Sequence, residues 1–369
     1  MVPLLLPAFS PLEMTRSVPV VALVVVAACS RSGAPPSTSA VASNAPVATV
    51  ERTRMLLTAL AHDSMEGRRV ATAGEARAAR FIAARLREAG VEPAGDSGGY
   101  YQHLPMARTT TRIRSANGQE RTREGASVLP SFADLDTVPV DRRLTSVNVI
   151  GVLKGSDPAL ASEVVVVGAH FDHIGIRPAV NGDSIANGAD DDGSGTVAMM
   201  EAARIIAAGP RPKRTIVFGA FTGEESGTLG VRWYSQHPIV PLDRHVADVQ
   251  VEMIGRPDTA AGGPGKAWLT GFERSTMGST LVAAGLPVIA DPRPSQSFFT
   301  RSDNIVFARL GIVAHTLSSF GMHGEYHTVN DEVELVDFTH MTEMVNLVAR
   351  AVRVIADGPR LAWNPGGKP

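Results

Sequence analysis

Cysteine is nearly absent: Cys29 is the only one in 369 residues. No disulfide can staple the chain internally, so stability must come from a packed core and any bound metals. Charge of one sign is absent too, with 35 Lys and Arg against 37 Asp and Glu for a net −2. Aromatic residues make up 5% and form no stripe interleaved with a basic run. These absences remove the electrostatic footprint of a nucleic-acid partner. The apolar run Val18 to Ala28 is too short to cross a bilayer, which takes about 20 residues.

That run has instead the length of a signal-peptide core. It leads into Val26-Ala27-Ala28-Cys29, which resembles a bacterial lipobox, in which the cysteine is acylated and becomes the mature N-terminus. One basic residue, Arg16, precedes it. The expected organisation is a lipoprotein-type signal at 1–28, a lipid-anchored tether rich in Ala, Ser and Pro at 29–49, one globular domain at 50–360, and a tail at 361–369. Export is the expectation, with the lipid on Cys29 holding the chain on the periplasmic face of a bacterial membrane, the outer membrane by preference; a plain secretory signal, leaving the chain periplasmic or secreted, is the alternative.

Within the domain, helical spacing marks Glu75 to Ala89, Thr196 to Ala208 and Phe338 to Ala356. The third places Met341, Met344, Val345, Val348, Val352 and Ile355 on one face and stops at Gly358-Pro359. Continuous apolar runs of strand length occupy Val164 to Ala169, Thr215 to Phe221, Val249 to Ile254 and Ile312 to Leu317. Such runs suit strands buried on both faces. Their alternation with helices predicts an α/β fold, a three-layer sandwich with a central, largely parallel mixed sheet and helices on both faces. The stretch from Tyr100 to Leu144 is less regular and reads as a loop or small insertion.

Ligands of open α/β sheets gather beyond the carboxyl ends of the strands. Polar residues stand there in this chain. His170-Phe171-Asp172-His173 follows the first run, Thr222-Gly223-Glu224-Glu225 the second, and Tyr326-His327 the last. Glu252 interrupts the third run, and Asp190-Asp191-Asp192-Gly193-Ser194-Gly195 precedes the helix at Thr196. Carboxylates gathered at one rim repel one another unless a cation converts the repulsion into binding. Mixed imidazole and carboxylate ligation suits zinc, with manganese or cobalt as alternatives.

Ala169-His170-Phe171-Asp172-His173, Asn187 to Gly195, Phe221 to Glu225, Glu252-Met253-Ile254-Gly255-Arg256 and Tyr326-His327-Thr328 resemble, in order, motifs of the di-zinc aminopeptidases of metallopeptidase clan MH, family 28. That family includes bacterial leucyl aminopeptidases and glutamate carboxypeptidase II. The resemblance runs from about residue 52 to 357 and implies a peptide-hydrolysing enzyme with two zinc ions per chain. By it, His170, Asp191 and Glu252 hold one zinc, and Asp191, Glu225 and His327 the other. Asp172 orients His170, Glu224 is the general base, and Tyr326 donates to the developing oxyanion. Most relatives have Asp where this chain has Glu252, a side chain one methylene longer that still reaches a metal.

Gly95-Asp96-Ser97-Gly98-Gly99 copies the string around a serine-protease nucleophile, but no β-barrel domain with its His and Asp stands ahead of it, so it reads as a turn. Removal of N-terminal residues from peptides is the expected activity. A carboxypeptidase or dipeptidase of the same family, a glutaminyl cyclase-like transferase with one zinc, and a non-catalytic binding module are the alternatives. Phe298-Phe299 and Arg301-Ser302-Asp303 are candidates for the specificity pocket, Phe298-Phe299 equally for the core.

Overall fold

The computed structural model describes residues 46–114 and 120–369. The expected signal segment, Cys29 and most of the tether lie outside the described residues. Among these, no helix is long and apolar enough to cross a membrane. The domain opens with helix α1 (Val50–Leu60), whose first turn is capped by the Thr49 side chain. Helix α2 (Ala73–Glu88) is capped by Thr72 and turns Ala78, Ile82 and Leu86 inward. A short strand β1 (Glu92–Pro93) follows, then a long hairpin of β2 (Tyr101–Arg114) and β3 (Glu120–Val128).

That hairpin corrects the expectation of a loop or small insertion between Tyr100 and Leu144. Only its base packs, through Leu104 and Met106 against Val70 and Trp233, while Arg108 and Thr110 to Arg112 are exposed. A ribbon that meets the core at one end carries little apolar alternation for a sequence to display. The Gly95–Gly99 string forms a short exposed turn ahead of it, as read.

The chain then lays down β4 (Arg143–Leu153), β5 (Val164–His170), a small hairpin of β6 (Gly175–Val180) and β7 (Asp183–Ala186), and helix α3 (Gly195–Ala207). Next come β8 (Thr215–Phe221), α4 (Leu229–Gln236), β9 (His245–Val251), β10 (Ala267–Leu269), α5 (Thr276–Ala283) and β11 (Val288–Ala290). Helix α6 (Asn304–Arg309), β12 (Val313–Ser318) and α7 (Phe338–Asp357) complete the domain. Residues 361–369, expected as a tail, fold back onto it: Leu361 is buried, and the Trp363 indole N–H donates to the Gly311 carbonyl at 2.9 Å. Leu361 and Trp363 are too isolated in sequence to show periodicity.

One mixed sheet runs in the order β11-β10-β12-β9-β5-β8-β4-β2-β3, with β1 beside β4. Its centre, β12-β9-β5-β8, is parallel, and β4, β2 and β3 add antiparallel strands at one side. Successive strand residues point to opposite faces. Val165 and Val167 therefore join the cluster made with α1, α2, α3, α5 and α7, whereas Val164 and Val166 join α4 and α6. This is the three-layer arrangement the alternating runs predict. From β5 the chain passes through α3 to β8 on one side, then through α4 to β9 on the other. The strand order thus reverses at β5, the kind of place where open α/β sheets bind ligands.

Candidate active site

The site residues leave the strands at one rim. His170 ends β5 and lies in register with Phe221, the last residue of β8. The turn carrying Glu224 and Glu225 thus starts beside the His170–His173 segment, with Gly223 at φ +69°. Expected inside a strand run from Val249 to Ile254, Glu252 instead follows β9 directly. The backbone leaves the β region at Met253, at φ +52°, and the strand begins earlier, at His245. Buried Asp248 and Gln250 hid that early part of β9 from a reading based on apolar runs.

The acidic triplet divides its work. Asp190 Oδ1 accepts from the Gly255 amide at 2.6 Å, and its Oδ2 meets His323 at 2.9 Å. Asp192 Oδ1 accepts from the Gly195 and Met253 amides, each at 3.0 Å. Asp191 alone among the three turns to the sequence-predicted histidines, with Oδ1 at 3.3 Å from His170 Nε2 and Oδ2 at 3.1 Å from His327 Nε2. His327 Nε2 also lies 3.0 Å from Glu225 Oε1. Donor atoms of His170, Asp191 and Glu252 fall within 4.8 Å of one another. All five residues that the family resemblance assigns to metal binding therefore meet around Asp191.

This donor set fits a pair of divalent cations. His170 Nε2 and Asp191 Oδ2 are buried, and their contacts at 3.3 and 3.1 Å lack hydrogen-bond geometry, so neither atom has a hydrogen-bond partner among the described residues, a costly arrangement that a cation relieves. Burial opposes a proton on His327, yet Asp191 and Glu225 carry its pKa up to about 10. A positive charge is what the pair attracts, and a metal entering there displaces that proton. Burial likewise pushes Glu224 well above the usual carboxylate range; His170 pulls the other way, while Glu252 and Asp303 add to the rise. Glu224 belongs to neither group of metal donors and lines the pocket beside them.

Asp172 meets the His170 ring chiefly through its backbone. His170 Nδ1 lies 3.1 Å from the Asp172 backbone carbonyl but 3.8 Å from its carboxylate. The carboxylate instead accepts from the Glu224 amide at 3.0 Å and so ties the two ligand-bearing loops together. Sequence reading missed four further supports. Asp331 accepts from the Asp190 and Asp191 amides at 3.0 and 2.9 Å. Glu75 bonds Thr222 and Ser146 and braces the end of β8. His173, quoted only as part of a motif, sits 3.0 Å from Glu225.

Arg68 is the fourth, fully buried and ion-paired to nothing among the described residues. Its guanidinium donates to the carbonyls of Phe171, Asn187 and Gly188 at 2.8, 2.6 and 2.8 Å, and to Leu60 at 3.1 Å. It thereby clamps the His170 loop to the segment leading into Asp191, and a single arginine in a polar stretch gave no sequence signal of this. Arg68→Met leaves these buried acceptors unpaired and is expected to destabilise the fold by about 3 kcal/mol or more, read from urea unfolding midpoints. A loss within about 0.5 kcal/mol, the scale of an ordinary surface substitution, would remove the clamp from the account.

A pocket opens beside the cluster between Trp268, Thr270, Phe298, Arg301, Phe320 and Tyr326. The phenylalanine pair splits: Phe298 lines the pocket, 5.2 Å between ring centroids from Trp268, and Phe299 packs in the core near Trp363. Arg301 places its guanidinium 4.9 Å from the Phe298 ring centroid. Ser302 lines the same pocket, and Asp303 is buried next to it with neither carboxylate oxygen hydrogen-bonded among the described residues. Tyr326 stacks on His327, and burial keeps its phenol protonated.

The profile of peptidase family M28 matches residues 148–352, more than half of the chain. Leucine aminopeptidase 1 of Emericella nidulans is 31% identical over 208 residues, covering 52% of this chain and 51% of that protein. The chain spans about half or less of the length of the curated relatives it matches. Among solved structures, an aminopeptidase from Aneurinibacillus sp. strain AM-1 superposes with a TM-score of 0.58 at 16% identity, over 86% of this chain and 96% of the other. A Porphyromonas gingivalis glutaminyl cyclase superposes with a TM-score of 0.53 at 18% identity, over 82% and 97%. At these identities the superpositions speak to the fold.

Proposed function

The chain belongs to peptidase family M28, and from that membership we propose that it is a zinc-dependent exopeptidase removing N-terminal residues from peptides. The observation that carries the reading is the convergence of His170, Glu252, Glu225 and His327 on the shared carboxylate of Asp191, next to a pocket with apolar walls. Two zinc ions per chain would use His170, Asp191 and Glu252 on one side and Asp191, Glu225 and His327 on the other. When bound, such a pair polarises the scissile carbonyl and acidifies a water molecule.

The chain's own groups do the rest. Glu224, raised in pKa and free of the metal donors, takes the proton from the attacking water and passes it to the leaving amine. Tyr326, protonated at the pocket wall, supplies a hydrogen bond to the oxyanion. Asp172 keeps Glu224 in place through its amide. Aromatic walls at Trp268, Phe298 and Phe320 receive an apolar side chain. The match to leucine aminopeptidase 1 of Emericella nidulans, 31% identical over 208 residues, supports aminopeptidase over carboxypeptidase action. Val26-Ala27-Ala28-Cys29 supports export and a lipid anchor on Cys29.

A panel of amino-acid p-nitroanilides tests this, assayed as purified, after chelation and after zinc is restored. Activity on apolar residues, lost to the chelator and regained with zinc, is the expected result. No turnover of any free-amine substrate by a chain holding two metals would overturn the aminopeptidase reading. Cyclisation of N-terminal glutamine would then favour the glutaminyl cyclase-like alternative.

A further inference from the structure

His173 lies three residues past His170, in the segment that joins β5 to the β6–β7 hairpin. It is completely buried, and its Nδ1 sits 3.0 Å from Glu225 Oε1 and 3.7 Å from Asp191 Oδ2. Those are the two oxygens that His327 Nε2 approaches, at 3.0 and 3.1 Å. Four donors from His173, His327, Asp191 and Glu225 thus surround one point. A tetrahedral zinc with bonds of about 2.0–2.1 Å sets its donors roughly 3.3–3.4 Å apart, and the observed separations straddle that value.

Two further observations separate a ligand from a mere neighbour. An imidazole aimed at the oxygen that His327 also approaches points to the position a shared cation would take. His173 approaches Oε1 itself. Its ring is also fixed, because Gly188 packs against it so closely that a Cβ there would stand 2.5 Å from the ring. The His173 and His327 rings meet at 66° with centroids 5.7 Å apart, reaching the shared oxygens from different directions. Donor atoms of His173, Asp191 and Glu225 lie within 4.8 Å of one another, close enough to hold a metal even without His327.

We infer that His173 is an additional protein ligand of the metal held by Asp191, Glu225 and His327, giving that ion two imidazoles and two carboxylates. The inference rests on the two-metal reading above. The two sites are then unequal: one has three protein donors and the other four, and the four-donor site is the tighter. Under graded chelation the ion shared by His170 and Glu252 leaves first.

Zinc K-edge absorption fine structure on the fully loaded wild-type chain tests this without any substitution. Three imidazoles over two zinc ions are expected; two imidazoles overturn the assignment. His173→Gln, loaded with cobalt, provides the second arm. The visible cobalt bands should change in energy and intensity, and one of the two metals should bind more than about 100-fold more weakly, beyond what loss of an outer hydrogen-bond partner produces. Unchanged cobalt bands overturn the assignment, whatever the affinity. Two metals with only two imidazoles sink His173 alone, whereas a wild-type chain that binds no metal sinks the two-metal reading with it.

Discussion

Glu224→Gln is expected to lower kcat by about 10³-fold, within the 10²–10⁴ range a positioned general base supplies, and to leave metal content unchanged. Glutamine keeps the shape and the backbone bond that holds this position, the 3.0 Å contact from the residue-224 amide to Asp172. What it removes is the ability to accept a proton. Because Glu224 lies outside both groups of metal donors, the loss should fall on kcat with little change in KM. Steady-state kinetics on the best anilide substrate, with metal analysis of the same preparation, checks both halves. Near-normal turnover would take Glu224 out of the proton transfer.

Asp191→Asn should have the larger effect, because on the proposed two-metal reading both ions would draw on one carboxylate. Its two oxygens face different imidazoles, His170 on one side and His327 on the other. An amide is a weaker, neutral donor and cannot bridge two cations as a carboxylate does. Metal content should drop for both sites together, and activity should fall by about 10⁴-fold or more, equivalent to roughly 5.5 kcal/mol of transition-state stabilisation. Asp192→Asn is the matched control. Its carboxylate accepts the Gly195 and Met253 amides and faces no imidazole within bonding distance. That variant should keep both metals and show at most a modest stability loss. Equal metal loss in the two variants would mean that the triplet acts through net charge and not through the geometry of Asp191.

The sequence was most informative where one physical period dominated. Buried parallel strands write themselves as apolar runs, so β5 and β8 were legible nearly to the residue, and α7 was legible from its single apolar face. The rule that ligands collect past strand ends then located the candidate site residues. Legibility failed where polar residues are buried for structural reasons. Asp248 and Gln250 concealed the start of β9, and Arg68 looked like any surface arginine. His173 stood in plain view next to Asp172, but one linear motif cannot tell which of its two histidines faces which carboxylate. The Phe298-Phe299 pair shows the same limit: adjacent identical residues part to pocket and core because a short helical turn sends them in different directions.

Arg68 also bears on what counts as a module in this protein. It lies well ahead of the matched segment 148–352, as do α1, α2 and the hairpin that flanks β4. A fragment cut at the family boundary would bare the face of the sheet that Leu57, Ile82 and Leu86 cover. It would also leave the carbonyls of Phe171, Asn187 and Gly188 without their donor. The boundary that a shared pattern draws is thus narrower than the smallest piece able to hold its own shape. Any transplant of this site into another scaffold must carry the first hundred residues of the domain with it.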